Sequence, residues 1–227
     1  MTIDEYKQKA KEIEDWAPGW DAIDSCMEKR YGNQEPKHYG TNMAVRAIFG
    51  GDQYLDGYSV YTSQYGHLHI VTYGMSELYT NEESFGGEFS KWGYEMTLKL
   101  PLCEEADYLW ALDMLSNLAR YTFTSKRYLE PNQYISGGGN PIKVDSGSKL
   151  TGLLVVEDTE LAGTNTVHGR LDFIQLVGIT QTELDAIMAD QEKIPSLIAS
   201  MKQDNPLLVT DIARTKDYLN HNESRLT

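Results

Sequence analysis

Near its middle the chain reads Tyr94-Glu95-Met96-Thr97-Leu98-Lys99-Leu100. Apolar and polar side chains alternate along this stretch, and a period of two residues is that of a β-strand. We predict a strand whose apolar residues pack on the core, while Glu95, Thr97 and Lys99 face solvent. Because a strand with one wet side is typical of antiparallel sheets, this stretch indicates the fold class.

Further strands are predicted on both sides of this one. Residues 58–61 and 68–73 are rich in β-branched and aromatic residues, which favour strands. The short apolar run 153–156 suits a central strand. Residues 171–179 are predicted as another strand, and 207–210 as a last short one.

Two helices are predicted from their first residues. Thr2 with Glu5, and Thr180 with Glu183, each match the capping box that starts a helix. The first of these helices is expected to be broken at Pro18-Gly19.

Two more helices are predicted from apolar periodicity. One runs from Trp20 to Tyr31 with apolar residues three or four apart, and Gly32 ends it. Within it, Trp20 is expected to be a core anchor. The other follows the alternating strand, and its apolar side holds Leu109, Leu112, Leu115, Ala119 and Tyr121.

The mixture of helices with hairpin-like strands predicts an α+β fold. We expect a largely antiparallel or mixed central sheet flanked by helices. A length of 227 residues fits one generous domain. We predict a single domain over residues 1–227, with a helical lead-in at residues 1–17.

The composition is that of a globular protein with an acidic surface. Hydrophobic residues make up 41% of the chain and charged residues 24%, which argues against disorder. The net charge of −14 disfavours nucleic acid and anionic membranes as partners, since binding either one needs Lys or Arg. It favours a basic partner, although an acidic surface also simply keeps a protein in solution.

Targeting and redox features favour the cytoplasm. The N-terminus is charged and has no apolar core of a signal peptide. No apolar run approaches the roughly 20 residues that span a bilayer. Cys26 and Cys103 are too few for a disulfide framework. We therefore expect a cytoplasmic protein with no membrane partner.

Two groups of residues are candidate metal ligands. His67 and His69 lie two apart on a predicted strand and face one way, and His38 or Glu77 could supply a third ligand. Ordinary polar strand residues have the same pattern, and no third ligand stands at a recognisable spacing. The second group is an acidic cluster after a strand, which could hold a divalent cation or be solvated loop charge: Glu157, Asp158 and Glu160. We predict no metal site at either group.

No catalytic set emerges from the sequence. There is no Gly-x-Ser-x-Gly elbow and no cysteine in a reactive motif. The run Gly137-Gly138-Gly139 lacks the Lys and Ser or Thr of a phosphate loop, which favours a plain flexible loop. We therefore predict no enzymatic activity and no cofactor.

The stretch from Glu77 to Asp107 is the most acidic part of the chain. It holds eight acidic residues against two lysines, a net charge of −6. Aromatic residues lie among these acids, as on a binding surface, unless the aromatics turn inward. Its part from Tyr79 to Trp92 is expected to be a loop or edge open to solvent. The candidate partner-binding residues are Tyr79, Glu82, Glu83, Phe85 and Glu88.

Eight motifs follow one another along the chain in the order of a known family. They are Pro18 to Asp24, Glu35 to Thr41, His67 to Tyr79, Gly93 to Leu100, Leu118 to Tyr121, Leu153 to Leu161, Gly169 to Thr180, and Leu208 to Asp211. Together they resemble the suppressor-of-fused family, with His67 to Tyr79 as its most distinctive block. The resemblance covers about residues 16–214.

The resemblance implies a single α+β domain that binds protein without catalysis. Animal members restrain a transcription factor by binding it, and bacterial members are proposed immunity proteins that neutralise toxins of competing cells. In animal members the region around the tyrosine that matches Tyr79, and the loop after it, belongs to the partner site. Animal members also have a C-terminal domain that this chain is expected to lack, so their transcription-factor partner is not expected to carry over.

The favoured interpretation is an immunity-type protein of the bacterial single-domain kind, which binds and neutralises a basic protein toxin. One alternative is a metal-dependent enzyme or binder around His67 and His69. The other is a regulatory scaffold with no inhibitory role.

Overall fold

The computed structural model describes residues 1–41 and 55–219. The domain predicted over residues 1–227 also includes 42–54 and 220–227, which lie outside the described residues. The strands in the described part are β1 (Lys37–Gly40), β2 (Gly57–Thr62), β3 (His67–Tyr73), β4 (Phe89–Pro101), β5 (Tyr134–Ser136), β6 (Leu150–Glu157), β7 (Thr164–Thr166) and β8 (Gly169–Thr180). The helices are α1 (Ile3–Glu12), α2 (Pro18–Tyr31), α3 (Glu105–Ser125), α4 (Gln181–Ala189) and α5 (Ile194–Asp204).

One mixed sheet of eight strands organises the described residues. Its order is β1-β2-β3-β4-β8-β6-β5, and β7 pairs with β8 off this path. All pairs are antiparallel except β4 with β8, which run parallel. The predicted α+β class with a mixed central sheet is confirmed. Three short strands, β1, β5 and β7, have no counterpart in the sequence prediction.

Helices cover both faces of the sheet. On one face α3 packs against the apolar residues of β4, so that Leu112 and Leu115 meet Met96 and Leu98. On the other face Phe173 of β8 belongs to the apolar cluster under α2. Val177 and Ile179 of β8 belong to a separate cluster under α4 and α5. The result is three layers, with the sheet in the middle.

Both faces of β4 are buried, which corrects the predicted wet side. Glu95, Thr97 and Lys99 are each fully buried. The alternation of apolar and polar residues does report a strand, as predicted. The alternation does not show that the polar side of the strand faces solvent. Strand β4 is an interior strand, and its polar side chains have partners beneath the second helical layer.

The helix ends follow the capping patterns with one correction. Thr2 and Thr180 each form the predicted capping box. However, α1 already ends at Glu12, and Pro18 begins α2 instead of breaking a helix. Proline suits this first position, since its missing N–H has no partner there in any helix. Gly32 ends α2 as predicted.

Two positions on α3 and one predicted strand differ from the structure. On α3, Leu109 and Tyr121 are exposed, while the residues between them on the predicted face are buried. The predicted strand at 207–210 does not form, and Leu208 has a φ of 52°. Instead the side-chain amide of Gln175 donates to the carbonyls of Leu207 and Leu208, at 2.9 and 3.0 Å.

Gly19 marks a close approach of α2 to the segment that follows β3. Its N–H donates to the carbonyl of Leu78 at 2.9 Å, and a Cβ at this position would lie 2.0 Å from the carbonyl oxygen of Glu77. The neighbouring Trp20 is half-buried, and its ring centroid lies 4.0 Å from that of Tyr73. This contact fixes the chain at residues 77–78, where the acidic aromatic stretch begins.

Within residues 1–41 and 55–219, no helix combines the length and the apolar character needed to cross a bilayer.

Candidate protein-binding surface

The candidate surface is the segment of residues 79–88, called here the binding segment. It connects the end of the β3 region to β4 and contains one short 3-10 turn, Glu82–Ser84. Glu82, Glu83 and Glu88 are exposed, and the ring of Tyr79 is 51% exposed. The segment therefore presents carboxylates and an aromatic ring to solvent together.

The aromatic residues of the predicted loop divide into two groups: Tyr79 and Phe85 lie in the binding segment, whereas Phe89 and Trp92 lie in β4. Tyr79 is exposed, and its hydroxyl donates to Asp56. Phe85 is half-buried against Tyr6, with ring centroids 4.9 Å apart. Phe89 and Trp92 belong to β4 and so correct the predicted extent of the loop. Trp92 is half-buried, with its ring centroid 5.8 Å from that of Phe123 on α3.

A buried carboxylate on β4 holds the turn that leads into the binding segment. Glu95 accepts hydrogen bonds from the amides of Gly74 (3.0 Å), Met75 (3.3 Å) and Ser76 (2.9 Å). The hydroxyls of Thr72 and Ser76 add two more, each 2.6 Å long. Burial raises the pKa of Glu95, and these hydrogen bonds oppose that shift. One side chain thus fixes three successive amides just before Tyr79.

Helix α1 supports the binding segment from its other side. The hydroxyl of Tyr6, which is fully buried, accepts a hydrogen bond from the amide of Asn81 at 2.6 Å. The same hydroxyl lies 2.9 Å from Nε2 of His168. At the surface, Lys7 forms a salt bridge of 2.8 Å with Glu82. The lead-in predicted at residues 1–17 therefore contacts the candidate surface directly.

Residues from the two groups of candidate metal ligands come together in one buried ion network. Nε2 of His67 lies 2.9 Å from Glu160, and Nε2 of His69 lies 3.0 Å from Asp158. Lys99 lies between the two carboxylates, with Nζ 3.1 Å from each. A carboxylate only accepts hydrogen bonds, so each Nε2 carries the proton.

The charges of the buried ion network compensate one another. The two carboxylates face the ammonium of Lys99 and the guanidinium of Arg30, whose Nε lies 3.0 Å from Glu160. Burial raises the pKa of Asp158, but His69, Lys99 and the hydroxyl of Thr97 outweigh it and hold that pKa well below its ordinary value. The pKa of Glu160 is lowered likewise: burial is outweighed by hydrogen bonds from His67 and Arg30 and by the charge of Lys99.

Burial lowers the pKa of His69, which keeps its imidazole neutral. Its Nδ1 then accepts a hydrogen bond from the hydroxyl of Tyr31 at 2.8 Å. Burial raises the pKa of that phenol in turn. Both ring nitrogens of His69 are thereby used within the protein.

The other residues considered as metal ligands from the sequence alone lie elsewhere. His38 on β1 has its Nδ1 3.0 Å from the hydroxyl of Ser59, and Glu77 accepts a hydrogen bond from Asn81. Glu157 is exposed, apart from the buried Asp158. Among the described residues, no group of three or more His, Cys, Asp or Glu side chains is arranged to hold a metal ion. Lys99 supplies the positive charge between the carboxylates.

A family model described as Suppressor of fused protein (SUFU) matches residues 51–215 of the chain. The chain belongs to the suppressor of fused family. The match extends over most of the sheet, including β2, β3, β4, β6 and β8, and over helices α3, α4 and α5. It therefore includes the binding segment and, apart from Arg30, the buried ion network.

Individual relatives agree with this assignment. The mouse suppressor of fused homolog is 28% identical over 211 residues, a match that covers 86% of this chain and 43% of the mouse protein. The chain thus spans less than half the length of that relative. A chain in the Sufu–Fu complex crystal structure is 25% identical with a TM-score of 0.75, covering 89% of this chain and 93% of the other.

A bacterial structure shares the fold. The putative SUFU homolog from Neisseria gonorrhoeae has a TM-score of 0.58 and 15% identity, over 86% of this chain and 94% of the other. At this identity the comparison concerns the fold alone.

Sequence reasoning missed the side chains that support the candidate surface. The alternation of β4 assigns Glu95 to solvent, and no sequence pattern marks Tyr6 as a support for Asn81. One signal was present in the sequence: a Glu, a Thr and a Lys on the same face of a strand can be satisfied by internal partners as well as by water.

Proposed function

We propose that this protein binds another protein and blocks its activity, with no catalysis of its own. The observation that carries the proposal is the binding segment. It exposes acids and a tyrosine, and hydrogen bonds to Glu95 and Tyr6 hold its backbone in place. A surface ordered before binding loses less conformational entropy when a partner docks. Membership in a family with a member in the Sufu–Fu complex supports a protein as the partner.

The partner we propose is a basic protein, and specifically a toxin that this chain neutralises in the manner of an immunity protein. A net charge of −14, with three exposed glutamates on the binding segment, would speed encounter with a basic surface. Tyr79 would anchor the partner after encounter, since exposed aromatics contribute strongly to interfaces. The members of the buried ion network are engaged with one another, and we assign them a structural role.

Growth rescue tests this proposal. Candidate toxin domains from neighbouring genes are induced one at a time in cells that carry either the wild-type chain or a variant, Glu82→Lys, Glu83→Lys, Glu88→Lys. A matched triple with the same charge change at distant exposed sites is Glu28→Lys, Asp185→Lys, Glu192→Lys. We expect growth with the wild type and the matched triple, and arrest with the binding-segment triple.

A scaffold is the second candidate function, because a protein similar to this chain is part of the Sufu–Fu complex, which is an assembly of proteins. The same experiment separates the two. Co-purification of the wild-type chain with the toxin domain, without rescue of growth, would favour a scaffold. Absence of both binding and rescue would contradict the proposed toxin partner.

A further inference from the structure

Strand β5 leaves one edge of the sheet open in the described part of the chain. It is the last strand in the order, and within residues 1–41 and 55–219 it pairs only with β6. The carbonyl of Gln133 accepts from the amide of Val155, and the amide of Gly137 donates to the carbonyl of Thr151. Main-chain groups alternate in direction along an antiparallel ladder. The main-chain N–H and C=O of Ile135 therefore point toward β6, whereas those of Tyr134 and Ser136 point away from the sheet.

A groove of about 1050 Å³ runs alongside this edge. Its walls are the outer side of α3, the connection after that helix, and β5 itself. Apolar side chains that are half-buried line it, and they are Trp110, Met114, Leu118, Ile135 and Ile142. At its rim Tyr128 is 54% exposed and Val144 is 76% exposed. The groove thus offers apolar surface beside unpaired main-chain groups.

The charge around the groove is opposite in sign to that of the whole molecule. Residues 114–156 carry five basic residues (Arg120, Lys126, Arg127, Lys143 and Lys149) against Glu130 and Asp145, a net charge of +3. The remainder of the chain then carries −17, since the total is −14. Three of these cations line the groove itself, together with the acids Asp113 and Glu130, so the lining carries a net charge of +1.

We propose that this groove is a second binding site, which takes an extended acidic and apolar segment of a partner protein as an added strand beside β5. The main chain of that segment would bond to Tyr134 and Ser136, as in other complexes formed by strand addition. Alternate apolar side chains would enter the groove beside α3, and acidic ones would meet Lys126, Arg127 and Lys143. This site is separate from the binding segment and takes a partner of opposite charge.

Peptide selection tests the proposal. Phage-displayed random decapeptides are selected on the wild-type protein and, in parallel, on a Lys126→Glu, Arg127→Glu, Lys143→Glu variant whose circular dichroism and melting temperature match the wild type. We expect peptides with alternating acidic and apolar residues from the wild type alone. A synthetic copy should bind the variant at least about tenfold more weakly. The same copy N-methylated at alternate amides should not bind, because it cannot form the ladder.

Amide exchange of the bound complex locates the peptide. Binding should slow hydrogen–deuterium exchange at Tyr134 and Ser136 more than at Ile135, whose amide already faces β6. The proposal is overturned if no peptide prefers the wild type, if the selected peptides are basic, or if protection appears away from β5. Displacement of the peptide by a single-stranded oligonucleotide, with protection absent from β5, would also overturn it and would favour a nucleic-acid surface.

Discussion

Glu95 accepts five hydrogen bonds in a fully buried position, and three of them come from successive main-chain amides. Such a carboxylate acts as an internal cap for the turn at residues 74–76. Replacing it leaves donors buried without acceptors, and each of those costs more than a hydrogen bond contributes on average. Glu95, which the sequence pattern assigns to the surface, is thus a buried residue that supports the candidate site.

We expect Glu95→Gln to lower the free energy of unfolding by about 2–4 kcal/mol, since the amide offers one acceptor oxygen where the carboxylate offers two. Urea unfolding measured at neutral pH gives this quantity. The control is Glu88→Gln, an exposed change on the binding segment, which should stay within about 0.5 kcal/mol of wild type. Equal stability of the two variants would contradict the role assigned to Glu95.

His69 makes the stability of the fold depend on pH. Its folded-state pKa lies below its ordinary value of 6.5, so the unfolded chain binds a proton more readily than the folded one. Stability is therefore fully present above about pH 6.5 and is lost as the pH falls toward the folded-state pKa. His38 and His168 have pKa values lowered by burial as well, and they act in the same direction.

We expect the unfolding free energy of the wild type to fall between pH 7.5 and 5.5, by up to about 1.4 kcal/mol per pH unit for each histidine involved. His69→Gln should be less stable at pH 7.5, because the hydrogen bonds of His69 to Asp158 and Tyr31 are disturbed. It should also show a shallower pH dependence. A variant with the slope of the wild type would show that His69 does not control this response.

At the level of elements, α1 serves as a support for the binding segment. Tyr6→Phe removes only the hydroxyl, which accepts a hydrogen bond from the amide of Asn81 and contacts His168. We expect a loss of about 1–3 kcal/mol in stability. We also expect faster hydrogen exchange at Asn81, with little change in the interior strands. Tyr65→Phe, at an exposed tyrosine, is the control. Unchanged exchange at Asn81 would mean that α1 does not order the segment.

The elements that local patterns could predict are those with strong local signals. The capping boxes at Thr2 and Thr180 and the alternation of β4 identified their elements correctly. The three-residue β5 carries too short a pattern to be detected. Leu207 to Thr210 has the composition of a strand, but it binds the side chain of Gln175 and the end of β4 instead of forming a ladder. Local patterns do not contain such tertiary competition.

At the scale of the whole molecule, the candidate site could be predicted only in part. The acidic aromatic stretch was visible in the sequence because its residues are adjacent. Its supports were not, since Tyr6 lies 75 positions from Asn81. The same limit applies to the buried ion network, where His69 and Asp158 are 89 positions apart. The two groups of candidate metal ligands, at neither of which a metal site is predicted, are two halves of one ion network, which residue type alone cannot reveal.

The distribution of charge is also a property of the whole molecule. Steering of a basic partner depends on where the acids lie as well as on their number, because charges more than about 8 Å apart are largely screened at physiological salt. Three reversals of two charges each move the net charge from −14 to −8, whether they lie on the binding segment or at Glu28, Asp185 and Glu192. The two triples therefore separate a local surface from a general field.

The measurement that tests the central claim most directly is the kinetics of binding to the partner recovered by co-purification, at two salt concentrations. We expect the reversal of Glu82, Glu83 and Glu88 to slow association about tenfold and to flatten its salt dependence, while the matched triple stays within about twofold of wild type. Tyr79→Ala should instead speed dissociation about thirtyfold. If both triples change association equally and Tyr79→Ala leaves dissociation within about twofold, residues 79–88 are not the binding surface.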